Sequence, residues 1–461
     1  MSAVAKILSR MSGLLSGEGL MARAVRSSAL TVAGFGASQL IRLGSNLILT
    51  RLLFPEAFGL MALVSVILMG LYQFTDVGVT PSILQSRRGD DPEFLNTAWT
   101  IQAMRGVGLW LTACALAWPM ARVYDTPELL TILPVAGLTL LFSGLNPTRL
   151  DLANRHLRFG RVTAIDIATQ VFGVVAAVAL ALWWGSVWAL VVSNILATLT
   201  GLLLMNLFLP GPANRFRWEP EAVTELVGFG KWIFLSTLCG FLVAQGDKLL
   251  LGKFLTLETF GIYNIGFFLA SFPLLLGGMV TRRLLIPIYR ELPPRESAAN
   301  FDKLQRMRIA VTAGLLSLTA ILAFAGVWLV GVMYDPRYEM AGAVVVAVTL
   351  AQIPQIVVMT YDQAALAAGD SRRFFVLTAA RAAALIAGLL TGLWLAGLIG
   401  AIAGMALAGL VSYPVVVWLA RRMGAWDPMH DAAAFAAGAC LALSVLALHW
   451  EDVSALALAA P

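Results

Sequence analysis

The stretch QGDKLLLGKFLTLETFGIY (245–263) carries two ionised residues, Asp247 and Lys248, inside an apolar run that extends from Trp232 to Leu255. A helix that crosses a hydrocarbon core of about 30 Å needs about 20 mostly apolar residues, and this run has that length. A charge held at that depth is costly unless it meets a partner or a wet cavity, so such residues mark function by default. Arg42 stands in the same predicament within the run from Leu30 to Leu53.

The stretch also has an earlier copy. LILTRLLFPEAFGLM (47–61) pairs with LLLGKFLTLETFGIY (249–263), matching Arg51 with Lys253, Glu56 with Glu258, Phe58 with Phe260 and Gly59 with Gly261. GFG at 34–36 matches GFG at 228–230, and VYDTPEL (123–129) parallels MYDPRYE (333–339). Three matches in one order indicate an internal duplication. Each copy holds an even number of apolar runs, so both enter the membrane the same way round. The expectation is two six-helix bundles related by an axis along the membrane normal, with substrate held between them.

Composition agrees. With 59% hydrophobic and 13% charged residues the chain is too apolar for a soluble domain. Alternating short strands are absent, so an all-α polytopic membrane protein of about 13 (12–14) transmembrane helices is expected. Residues 1–27 read as a cytoplasmic amphipathic N-terminal segment, 28–209 as the first six-helix lobe, and 210–227 as a cytoplasmic linker. Residues 228–420 form the second lobe, and 421–461 an extra transmembrane segment and tail. With the N-terminus in the cytoplasm, Arg51, Arg122, Lys253 and Arg337 alone of the 32 Lys/Arg fall in outer loops. That asymmetry is the positive-inside rule. The net charge of +6 is therefore a topology signal rather than a nucleic-acid footprint.

Chemistry of other kinds finds no foothold. Cys114, Cys239 and Cys440 lie inside apolar runs, and His156, His430 and His449 are scattered without metal-ligand spacing. GDKLLLGKF (246–254) has five residues between its glycines and no Ser/Thr after the lysine, so it is no nucleotide-binding loop. No loop is long enough for a catalytic domain. The expectation is a transporter, not an enzyme, without metal or cofactor.

Gln39, Arg42 and Asn46 share one face of the first helix, and Gln245 and Lys248 share one face of the seventh, with Asp247 beside them. These residues are read as lining a polar cavity; the alternative is a salt bridge of Asp247 with Lys248 or Arg42 that staples helices. Asp76 is read as a gate residue or as the cap of a broken helix, before Gly78 and Pro81. Arg105 suits a cavity ligand or a snorkelling side chain. Asp166 and Arg381 suit a tie between helices or a cavity lining. Pro81, Pro134, Pro273, Pro287 and Pro354 are expected to break or kink spans.

DKLLLGKFLTLETFGIYNIGFFLASFP (247–273), paired with FGLMALVSVILMGLYQFTDVGV (58–79), resembles the polysaccharide-transporter (Wzx-type) flippases. These belong to the MOP exporter superfamily, with the lipid II flippases and the MATE-type multidrug antiporters. The likeness covers roughly residues 28–420. It implies translocation of undecaprenyl-pyrophosphate-linked oligosaccharide from the cytoplasmic to the periplasmic leaflet of a bacterial inner membrane by alternating access, for exopolysaccharide, capsule or O-antigen assembly. It nominates Arg42, Asp247 and Lys248, and less distinctly Arg105; the reading of the residues themselves adds Gln39, Asn46 and Gln245 around the substrate-binding cations Arg42, Lys248 and Arg105, and Asp247, Asp76, Asp166 and Arg381 for coupling or gating. Na+, H+ and the membrane potential are the candidate driving forces. Polysaccharide polymerase and chain-length machinery are candidate partners, and a monomer is expected. Two alternatives stand beside this reading. A cation-coupled drug antiporter would share the fold but rely on carboxylates, and a membrane polymerase or ligase would need a large outer loop.

Overall fold

The computed structural model describes residues 20–75, 78–156, 158–230, 234–281, 285–367 and 370–457. Asp76 and residues 1–19 of the expected amphipathic segment lie outside them. Every regular element among the described residues is helical.

In chain order the first ten helices are α1 (Leu20–Leu52), α2 (Pro55–Phe74), α3 (Val79–Gln85), α4 (Pro92–Val123) and α5 (Leu129–Ala136), followed by α6 (Leu138–Gly144), α7 (Arg149–Arg155), α8 (Phe159–Trp184), α9 (Val187–Phe208) and α10 (Pro220–Gly230). There follow α11 (Phe234–Phe254), α12 (Leu257–Ala270), α13 (Phe272–Val280), α14 (Ile286–Glu291), α15 (Ala298–Met333) and α16 (Met340–Ala351). The last are α17 (Ile353–Ala367), α18 (Ser371–Val411), α19 (Tyr413–Arg422), α20 (Pro428–Leu448) and α21 (Trp450–Ala455). Two compact units result: Met1–Leu53 with Ile67–Phe234, and Phe54–Val66 with Leu235–Pro461.

Seven helices among the described residues are long and apolar enough to cross a membrane, and three bent helix pairs raise that to ten. Prolines mark the bends. Pro273 opens α13 after a turn of 43°, and Pro354 lies in the first turn of α17 after one of 44°. Large apolar side chains such as Val175, Leu203, Ile321 and Leu443 are exposed along these helices, while Trp118, Trp183, Trp328 and Trp394 are exposed near helix ends. An apolar mantle with aromatic ends is the surface a bilayer selects. The chain is a multi-pass membrane protein.

One long helical run folds back on itself. In α18 the backbone reverses at Ala396 and Gly397, where Gly397 takes φ 58. The halves then pack on glycine: a Cβ on Gly392 would sit 2.0 Å from the Gly400 carbonyl oxygen, and one on Gly388 2.4 Å from that of Gly404. Small residues let helix backbones approach where lipid supplies no hydrophobic drive between helices.

The stretch expected as a linker is fixed to the first unit. The Arg215, Arg217 and Glu219 amides donate to Asn96 Oδ1 (2.9 Å), Thr100 Oγ1 (3.0 Å) and Thr97 Oγ1 (3.2 Å) on α4. Arg88 bonds both Asp91 (2.5 Å) and Glu219 (2.8 Å). That guanidinium holds the Asp91 carboxyl below its usual range. Helix α10 then buries Ala222 and Leu226 against Ile83, Phe94, Leu95 and Leu152.

Candidate functional site

In the first unit α1 and α8 run side by side in the same direction. Gly34 faces Thr163, where a Cβ would come within 2.2 Å of Thr163 Cγ2. One turn on, Ser38 Oγ donates to Gln170 Oε1 (2.6 Å) and Gln170 Nε2 donates to the Ser38 carbonyl (2.9 Å). Arg42 follows a turn after Ser38, and its side chain is exposed. Asn46, a further turn on, is half-buried. Gln39 Oε1 is buried with no hydrogen-bond partner among the described residues. Asp166 is exposed on α8, one turn before Gln170.

Arg105 on α4 turns to the end of α2. Its Nε donates to Thr75 Oγ1 (3.0 Å), its Nη2 to the Tyr72 carbonyl, and its guanidinium lies 4.6 Å from the centre of the Tyr72 ring. The last carbonyls of a helix have no intrahelical donor and carry partial negative charge, so a guanidinium there caps the break that follows. Gln102 and Ser143 complete the small cleft around it.

In the second unit the adjacent charges of α11 part company. Successive helical residues point about 100° apart. Asp247 is 2% exposed and accepts a 2.7 Å hydrogen bond from the hydroxyl of Tyr263 on α12, itself fully buried. Lys248 takes another side: its Nζ donates to Gln245 Oε1 (3.1 Å) and lies 5.2 Å from the centre of the Phe267 ring. Asp247 thus fastens α11 to α12, and the ammonium beside it is held by an amide and a ring face. Arg381 on α18 pairs with Asp362 on α17 at 2.6 Å, tying two helices with both side chains largely buried.

The densest polar cluster was not singled out from the sequence. Arg308 on α15 is 2% exposed; it donates from Nη2 to the Ala425 carbonyl (2.8 Å) and to Tyr289 Oη (3.3 Å), and stacks 4.2 Å from the Tyr361 ring centre. Asp427, His430 and Asp431 surround it at the start of α20. In sequence these residues flank the apolar runs, where charge ordinarily signals topology. The faint pointer was Asp427-Pro428, a helix N-cap followed by proline.

Comparison with known proteins matches this framework. The chain is 24% identical to the teichuronic acid biosynthesis protein TuaB of Bacillus subtilis (strain 168) over 257 residues, 54% of this chain and 49% of the relative. It is 24% identical to the succinoglycan biosynthesis transport protein ExoT of Rhizobium meliloti (strain 1021) over 232 residues, 49% and 45% of the two chains. It is 21% identical to the lipopolysaccharide biosynthesis protein WzxC of Escherichia coli (strain K12) over 286 residues, 60% and 54%. The chain thus spans about half the length of the curated relatives it matches. In fold it is similar to the lipid II flippase MurJ, with a TM-score of 0.65 at 11% identity, covering 93% of this chain and 99% of that one. A multidrug resistance MATE family transporter of the MOP superfamily gives 0.62 at 12% identity, covering 84% and 95%. A family model described as polysaccharide biosynthesis protein matches residues 48–341. With that match over most of its length, the chain belongs to the polysaccharide biosynthesis protein family.

Proposed function

We propose that the chain is a flippase that carries undecaprenyl-pyrophosphate-linked oligosaccharide from the cytoplasmic to the periplasmic leaflet of a bacterial inner membrane by alternating access. The observation that carries this reading is the state of Lys248. Asp247 turns to Tyr263, while the Lys248 ammonium turns to the neutral Gln245 amide and the Phe267 ring and presents its donors to an incoming anion on that side. In the first unit, Arg42, exposed midway along α1, is proposed as a phosphate contact in its own right, with Gln39 and Asn46 on the same helix face.

The chemistry requires such groups. A pyrophosphate cannot enter hydrocarbon bare, and guanidinium or ammonium donors replace its hydration with charge-assisted hydrogen bonds. The lipid tail stays in the bilayer while the head-group passes. Moving two negative charges outward is favoured by roughly 4–5 kcal/mol at about 100 mV. The membrane potential is therefore the proposed driving force, and the N-terminus is placed in the cytoplasm in this reading. The names of ExoT as a transport protein and of WzxC as a lipopolysaccharide biosynthesis protein support the substrate class.

The test is flipping in proteoliposomes. Purified protein should move a lipid-linked oligosaccharide between leaflets, faster when the acceptor side is positive. Transport absent at every potential would overturn the reading, and transport indifferent to potential would remove the driving force.

A further inference from the structure

The first unit gathers arginines at one end, and several of them are fully engaged there. Arg155 bonds Asp90 and the Ile83, Leu84 and Ser86 carbonyls. Arg88 pairs with Asp91 and Glu219, and Arg217 with Glu93. Arg149 donates to the Asn206 carbonyl (2.6 Å) in the last turn of α9 and to the Pro212 carbonyl (3.0 Å) just beyond it. These four hold the fold together. Arg158 and Arg161 differ: both are exposed, and neither guanidinium has a hydrogen-bond or ion-pair partner among the described residues.

Helix packing brings these two to one place. Helices α8 and α9 run antiparallel on small residues: a Cβ on Gly201 would lie 3.3 Å from Thr169 Cγ2, and one on Gly173 3.0 Å from the Ala197 Cβ. The start of α8 therefore sits beside the end of α9. There a cleft of about 660 Å³ opens, lined by Arg158, Gly160, Arg161 and Pro210. No carboxylate lines it among the described residues. Asp90, Asp91, Glu93 and Glu219, at the same end, already hold arginine partners.

The surroundings of the cleft are apolar and uncovered. Leu203 and Leu207, one turn apart on α9, are exposed, as are Phe208 just before Pro210 and Phe216 and Trp218 beyond it. In a membrane-spanning unit, leucines in such a position meet acyl chains and aromatic rings mark the boundary with the head-groups. The two guanidiniums thus stand at the level of lipid phosphates, with acyl-chain surface next to them.

We propose that this cleft binds the phosphate of an anionic phospholipid, with Arg158 and Arg161 bonding its oxygens while its acyl chains follow Leu203 and Leu207. A guanidinium matches phosphate in both geometry and charge. The lipid is a bound component of the membrane and not the cargo. The inference therefore stands apart from the flipping reading, and its failure would leave that reading intact.

The test compares phosphatidylglycerol with phosphatidylcholine, whose choline cation cancels the phosphate charge, on full-length protein in neutral detergent. Native mass spectrometry reads the bound lipid. Phosphatidylglycerol should bind more tightly. Arg158→Gln with Arg161→Gln should weaken it at least about fivefold, the loss expected of two charge contacts at a wet surface. Arg87→Gln with Arg215→Gln removes the same charge from exposed side chains at the same end, outside the cleft lining, and should leave binding within about twofold. Equal losses in the two double variants would overturn the proposal, as would equal affinity of the wild type for both lipids. Inorganic phosphate in large excess should leave the lipid in place; displacement by it would give the cleft to a soluble anion and overturn the lipid assignment. The wild-type comparisons decide even if a variant fails to fold.

Discussion

Gly59 and Gly261, equivalent positions of the internal repeat, face one another where α2 crosses α12. A Cβ on Gly59 would lie 2.0 Å from the Leu257 carbonyl oxygen, and one on Gly261 1.9 Å from that of Pro55. Each glycine thus meets the carbonyl four residues before the other. The crossing has its own two-fold symmetry and binds Phe54–Val66 into the second unit. Phe58 meets Tyr338 edge-on at 5.9 Å, and Arg337 lies 4.8 Å from the Phe54 ring centre on the same side.

Because the obstructing atoms are backbone, neither site has room to give. Gly59→Ala and Gly261→Ala should each lower stability by about 1–3 kcal/mol, the usual cost of overpacking. Gly36→Ala, with nothing within 4 Å, is the control and should stay within about 0.5 kcal/mol of wild type or rise above it. Thermal unfolding in detergent checks all three.

Docking of residues 215–219 should depend on pH through Asp91. Its carboxyl is held down chiefly by the hydrogen bond from Arg88. A depressed acid contributes stability in full above its unfolded value, about 3.9, and loses it as pH falls through the lower folded value. Amide exchange at Arg217 and Glu219 should therefore stay slow down to about pH 5 and quicken below about pH 4. Glu219→Gln should quicken it at neutral pH, and unchanged protection in that variant would remove Arg88 from the docking.

Tyr263→Phe strips a buried carboxylate of its side-chain donor and should cost about 1–3 kcal/mol. Combined with Asp247→Asn, the loss should fall short of the sum of the two single changes by at least about 0.5 kcal/mol. Pyrophosphate binding should survive in both single variants, because Lys248 keeps its Gln245 and Phe267 contacts. A Tyr263→Phe protein that folds normally yet no longer binds would assign Asp247 to the substrate.

Arg381→Ala leaves Asp362 largely buried without its partner and should cost roughly 3 kcal/mol, the lower end for a broken interior pair. Lys248→Ala should cost less, since its hydrogen-bond and ring contacts, Gln245 and Phe267, are neutral. Unfolding midpoints of the two variants separate a helix tie from a ligand.

Much of this was legible in the sequence. Apolar run lengths foretold a chain of membrane-length helices, and the reversal at Ala396 and Gly397 falls where one such run ends. The repeat foretold the Gly59–Gly261 equivalence, though not that the copies touch. Charges deep in apolar runs singled out Arg42 and Lys248 as candidates. What stayed hidden depends on helix rotation and on distance along the chain. Nothing in Asp247-Lys248 says which side chain turns inward, because Tyr263 lies on the next helix. The Arg308 cluster gathers residues from α14 to α20, and each alone resembles a span boundary.

The most direct measurement is the affinity of purified protein for undecaprenyl pyrophosphate, compared with undecaprenol, in wild type, Arg42→Ala and Lys248→Ala. Hydrogen bonds to a charged group contribute about 1.5–3 kcal/mol, so each substitution should weaken pyrophosphate binding roughly ten- to hundredfold and leave undecaprenol unaffected. Equal pyrophosphate affinity in all three folded proteins would contradict the account.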